Sequence, residues 1–126
     1  MQREYTEFAA KKACELLAID SPSGYTAGAA DWVKAAFEAL GFQAIITTKG
    51  GVLADLGGRD EADALFLEAH TDTLGAMVAE VKANGRLRLT PLGGMRAENA
   101  ETENVRVHTR SGRLIEGTVQ LCNASV

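Results

Sequence analysis

The chain has 126 residues, 46% of them hydrophobic and 24% charged, enough for one modest domain that buries roughly two thirds of its unfolded surface, and too apolar for a disordered tail. Its formal net charge of -4 comes from acidic and basic residues mixed along the whole sequence, with no run of Lys or Arg to track a phosphate backbone, so no nucleic-acid partner is expected. Arg3, Glu4, Glu7, Lys11, Lys12 and Glu15 interrupt the N-terminus before any apolar stretch reaches the length of a signal-peptide core or a membrane span, so the expectation is a cytoplasmic chain with no membrane partner.

From Tyr5 onward, Phe8, Ala9, Ala13, Leu16 and Leu17 recur at the three-and-four spacing of an amphipathic helix, which should stop before Pro22. The loop Ser21-Pro22-Ser23-Gly24 follows. Thr26 is placed to cap a second helix in which Ala29, Val33, Ala36, Phe37 and Leu40 form a buried stripe, and Gly41 suits a left-handed exit. Gln43 to Thr48, a Lys49-Gly50-Gly51 turn and Val52 to Leu56 together predict a β-hairpin, broken by Gly57-Gly58-Arg59-Asp60. Ala64 to Ala69 is almost continuously apolar, interrupted only by Glu68, and suits a central strand covered on both faces; His70 and Asp72 sit where it ends.

Beyond Gly75 the pattern changes to short strands without helices between them: Ala76 to Val81, an Asn84-Gly85 turn, Leu87 to Thr90, Val105 to Thr109, a Ser111-Gly112 turn and Leu114 to Leu121. The expected organisation is therefore an α/β portion over residues 1–74 and an all-β portion over residues 75–126. Asn123 to Val126 carry no stop signal, and the chain is expected to end inside a larger unit. Cys14 and Cys122 are far apart with no CxxC pair or His cluster nearby, which favours partly buried free thiols over a disulfide framework or a zinc knuckle.

His70-Thr71-Asp72 is the strongest chemical signal. Alternate residues of an extended segment point the same way, which brings a carboxylate beside an imidazole. In a metal site that pairing holds one ring nitrogen and so fixes the tautomer and orientation of the ligating one. The other reading is a strand-end histidine simply hydrogen-bonded to Asp72. The carboxyl end of a buried strand is where open α/β sheets place their ligands, which favours the first. His108, between Arg106 and Arg110, reads as a solvated strand residue, and Glu98, Glu101 and Glu103 read as a solvated loop rather than a cation site, since no ladder of Asp and Asn ligands around a central Gly accompanies them. No GxSxG elbow, P-loop or GxGxxG is present.

The stretch from Glu68 through His70-Thr71-Asp72 to Val78, followed by Gly85, Leu87 and Leu92-Gly93-Gly94, resembles the glutamyl and deblocking metallo-aminopeptidases of the tetrahedral, TET type. Ser21-Pro22-Ser23-Gly24 matches that family's first loop, and Gly112 with Glu116-Gly117-Thr118-Val119 resembles its inserted β-domain. The resemblance implies the N-terminal portion of a dizinc-peptidase α/β domain followed by part of an inserted, barrel-like dimerisation domain, and hence a homo-oligomer. It implies two cocatalytic divalent ions, zinc or cobalt, with His70 matching a metal ligand and Asp72 the catalytic acidic residue that orients it. The remaining ligands and the catalytic glutamate of the family fall downstream of Val126, so little metal should be held tightly by this chain alone. The implied activity is removal of N-terminal residues from peptides. Another dizinc hydrolase, such as a carboxypeptidase, a deacylase or a family member labelled an endoglucanase, and a catalytically silent assembly module are the alternatives; for the endoglucanase, no pair of carboxylates presents itself for a glycosidase.

Overall fold

The computed structural model describes residues 2–60 and 62–121, and its contacts divide the chain into two compact units between Thr73 and Leu74. The first unit opens with two helices. Helix α1, Gln2–Leu17, is built mostly from good helix formers and carries Arg3–Glu7, Lys11–Glu15 and Lys12–Glu15 ion pairs at 2.9, 3.9 and 2.9 Å along its length. No residue of α1 is buried. Its tie to the next helix is the Lys12 ammonium, 5.1 Å from the centroid of the Trp32 ring. Cys14 is exposed, which replaces the expectation of a partly buried thiol; Cys122 and Asn123 to Val126 lie outside the described residues.

Helix α2, Ala27–Ala39, supplies the centre of this unit, where Ala29 and Ala30 are buried together with Ala44 of the following strand. The expected stripe holds at Ala29 and is half-buried at Val33, Ala36 and Phe37, while Leu40, one residue past the helix, is exposed. Thr26 does occupy the N-cap, yet its side chain makes no capping bond. Its backbone is helical, with φ -105° and ψ 0°, whereas a capping hydroxyl reaches the free N–H groups from an extended backbone. Gly41 leaves the helix at φ +89° and donates to the Glu38 carbonyl at 2.9 Å, the left-handed exit expected of it.

Strands β1, Ala44–Ile46, and β2, Val52–Ala54, pair antiparallel in the register Ala44 to Ala54, Ile45 to Leu53 and Ile46 to Val52. Gly50, at φ +83°, closes the turn by donating to Thr47. The segment after β2 departs from expectation. Ala64 to Ala69 forms no strand, and Leu65, Phe66 and Leu67 are 84%, 69% and 77% exposed. A central strand needs a hydrogen-bonding neighbour along each edge and cover on each face, and among the described residues no strand pairs with this run. Thr73 then makes an isolated parallel bridge to Pro22.

The second unit consists of two hairpins, each a two-stranded sheet of its own. Strands β3, Gly75–Val81, and β4, Leu87–Leu92, are antiparallel, with a register shift between Val78 and Glu80 and an Arg88–Glu80 ion pair at 2.8 Å across the ladder. A short 3-10 helix, Ala97–Ala100, leads to β5, Asn104–His108, and β6, Leu114–Thr118. Pairing outlasts β6 by one step, as Val119 exchanges bonds with Thr102 and Glu103, but stops short of the expected Leu121. Among the described residues no helix is long and apolar enough to cross a membrane.

Candidate functional site

His70 and Asp72 both belong to the first unit. Although the residues before them form no strand, the two side chains still meet, with His70 Nδ1 3.1 Å from Asp72 Oδ1. The Asp72 backbone carbonyl lies at the same 3.1 Å from Nδ1. A carboxylate oxygen and a carbonyl oxygen are both acceptors, so these partners assign a proton to Nδ1, which in the neutral ring leaves the lone pair on Nε2. The imidazole is 86% exposed and the Asp72 side chain 42%, so solvent reaches the outer face of the pair.

The partner that sequence reasoning missed is Ser23. Its hydroxyl donates to Asp72 Oδ2 at 2.6 Å, the short range of a charge-assisted O–H to carboxylate bond. Ser23 stands in the Ser21-Pro22-Ser23-Gly24 loop, closed by the Tyr25 N–H donating to the Pro22 carbonyl at 2.8 Å, with Gly24 at φ +87°. The loop is tied to the His70 segment a second time, where the Thr73 N–H donates to the Ser21 carbonyl at 2.8 Å. Ser21 is 1% exposed, and among the described residues its hydroxyl has no hydrogen-bond partner. The loop was legible from its turn-forming residues, but its contact with Asp72 spans 49 positions and leaves no local signature.

The Ser23 hydroxyl holds the Asp72 carboxyl below its ordinary 3.8; desolvation opposes it, and the hydrogen bond and charge of the His70 ring each add a weaker lowering. Asp72 is therefore a carboxylate at neutral pH, with one oxygen for His70 and the other for Ser23.

Whether these residues suit a metal ion is decided by their donor set. A neutral imidazole with Nδ1–H on a carboxylate is the usual form of a ligating histidine. A catalytic zinc takes three protein ligands, and among the described residues no three His, Cys, Asp or Glu side chains come together. The chain thus fits as one ligand with its support. His108 lies exposed on β5 opposite Leu114, in the other unit, and Glu98, Glu101 and Glu103 lie in and after the 3-10 helix.

Comparison with known proteins adds an independent line. A family model described as M42 glutamyl aminopeptidase matches residues 50–125, more than half of the chain and inclusive of His70 and Asp72. The chain is 38% identical over 112 residues to YhfE of Bacillus subtilis (strain 168), which carries a provisional aminopeptidase name; the match covers 89% of this chain and 32% of that protein. It is 32% identical over 101 residues to the glutamyl aminopeptidase of Lactococcus lactis subsp. cremoris (strain MG1363), covering 79% of this chain and 28% of the relative. A lysyl aminopeptidase of Pyrococcus furiosus is 32% identical over 97 residues, 75% of this chain and 28% of its own length. The chain spans about a third of the length of these relatives.

Proposed function

The chain belongs to the M42 glutamyl aminopeptidase family, and from that premise we propose that it is the N-terminal part of a metal-dependent aminopeptidase that hydrolyses N-terminal residues from peptides. The observation that carries the reading is the contact of His70 Nδ1 with Asp72 Oδ1 at 3.1 Å, which leaves Nε2 as the nitrogen that can ligate an ion. Residues 1–74 then form the N-terminal part of a dizinc-peptidase α/β domain, and residues 75–126 part of an inserted β-domain used in dimerisation. The two antiparallel hairpins of the second unit support that division of labour.

His70 serves as a ligand to one of two divalent ions, zinc or cobalt, and Asp72 keeps its ring in the ligating tautomer. When bound, such ions supply Lewis acidity toward a peptide carbonyl and lower the pKa of water. A homo-oligomer in the cytoplasm is the assembly and location that accompany this reading.

The test uses a protein that carries this chain together with a downstream remainder of the relatives' length. His70→Ala should empty or greatly weaken one metal position and collapse aminopeptidase activity. Asp72→Asn keeps the shape but withdraws the charge behind the imidazole, so the expected loss is milder, on the order of 10 to 100 fold in metal affinity or activity, and excess metal should restore part of it. Full metal content and full activity in both variants would refute the assignment.

A further inference from the structure

We propose that Ser23 is a positioning residue, whose hydroxyl fixes the plane of the Asp72 carboxylate so that one oxygen remains on His70 Nδ1. The proposal deepens the reading of His70 and Asp72 given above and rests on it.

The geometry divides one carboxylate between two partners, with Ser23 Oγ 2.6 Å from Oδ2 and His70 Nδ1 3.1 Å from Oδ1. A single bond to Oδ1 leaves the carboxylate free to turn, because the terminal torsion of an aspartate is broad and roughly two-fold. A second bond, to the other oxygen and from a separate part of the chain, removes that freedom. Turning matters at this position because His70 has another acceptor within reach. The Asp72 backbone carbonyl is as close to Nδ1 as the carboxylate is, so a ring that lost Oδ1 would keep a neutral, weaker partner instead of a charged one.

Ser23 is itself well anchored for such a task. Pro22 beside it has its φ held by the pyrrolidine ring, and the bridge from Pro22 to Thr73 together with the bond from the Thr73 N–H to the Ser21 carbonyl fixes the loop against the residue that follows Asp72. Ser21, almost wholly buried, marks where the loop enters the unit. Loop and His70 segment are therefore held at backbone level, and the Ser23 to Asp72 bond is the side-chain contact made across that join.

The decisive measurement is the ring-nitrogen spectrum of His70 in the 126-residue chain, labelled with 15N at histidine and recorded where the rings are neutral, with His108 as a reference ring in the other unit. Two variants of nearly equal shape isolate the hydroxyl, Ser23→Thr retaining it and Ser23→Val lacking it, so that a general disturbance of the loop affects both alike. Ser23→Val should move the His70 tautomer ratio away from the Nδ1–H form by a few fold, about the weight of one hydrogen bond, while Ser23→Thr keeps the parent ratio. If Ser23→Val leaves the ratio unchanged while Asp72→Asn shifts it, Ser23 does not position the carboxylate and the proposal is overturned, with the pairing of Asp72 and His70 intact. If neither variant shifts it, the pairing itself is absent in solution and both the proposal and the reading beneath it fall. Equal shifts in Ser23→Val and Ser23→Thr would mean that loop shape acts rather than the hydroxyl, which also overturns it.

Discussion

At the scale of single residues, Asp72 is the group whose environment has been shaped most. Ser23 first, and His70 second, favour its charged form, so its carboxyl binds a proton less readily when folded than when unfolded. The sign follows directly: the stability this provides is fully present above the ordinary value of 3.8 and is lost as the pH falls through the lower, folded value. Asp72→Asn should therefore be less stable than the parent at neutral pH, with the gap narrowing below about pH 3.8. Urea unfolding followed at Trp32, the sole tryptophan and a residue of the same unit, measures it. A gap that stays constant down the acid limb would contradict the account. His70 and Asp72 were legible in the sequence because their contact is local and follows from the two-residue period of an extended chain. Ser23 was not, because the bond that gives it meaning joins positions 49 apart.

At the scale of elements, the helices and hairpins were legible where periodicity and turn chemistry act within a few residues. Both helices, the β1–β2 hairpin and the Asn84-Gly85 and Ser111-Gly112 turns all follow from such short-range rules. Two departures from expectation differ in kind, one local and one set by distant pairing. Thr26 has the right side chain for a cap but a helical backbone, and the run from Ala64 to Ala69 has strand composition without a strand to pair with. Gly41 shows how strictly local rules hold: a methyl group added there would meet no atom within 4 Å, so any cost of Gly41→Ala comes from the backbone at φ +89° alone. That cost should be about 1 to 2 kcal/mol, read again from urea unfolding at Trp32. A change under about 0.5 kcal/mol would mean that the α2 exit relaxes to a right-handed turn.

For the whole molecule, the dominant feature is how little apolar surface is covered. Leu65, Phe66 and Leu67 form a contiguous exposed run that pairs with no strand among the described residues, and the hairpins of the second unit expose Met77, Val78, Val81, Leu114 and Ile115. Two-stranded sheets are marginal alone, and an unpaired apolar run is a template for strand addition. The 126-residue chain should therefore self-associate as its concentration rises, and Phe66→Lys should weaken that association by placing a charge in the middle of the run. Sedimentation velocity decides the matter; a monomer at all concentrations would sink the idea, as would equal association of the parent and Phe66→Lys.

The bridge between Pro22 and Thr73 carries a kinetic consequence. Pro22 has no N–H, so the backbone join relies on the Thr73 donor to Ser21, reinforced by the Ser23 hydroxyl. Bringing ends some 49 residues apart together costs on the order of 3 to 4 kcal/mol in loop-closure entropy, which one backbone hydrogen bond, returning about 1 kcal/mol net, does not offset. The join cannot nucleate folding. It depends on α2 and the β1–β2 hairpin having shortened the intervening chain, so the surroundings of Asp72 should close after those elements and open before them. Hydrogen exchange at the Thr73 amide reports that opening, and protection there as high as in the middle of α2 would show instead that the join opens only when the whole unit does.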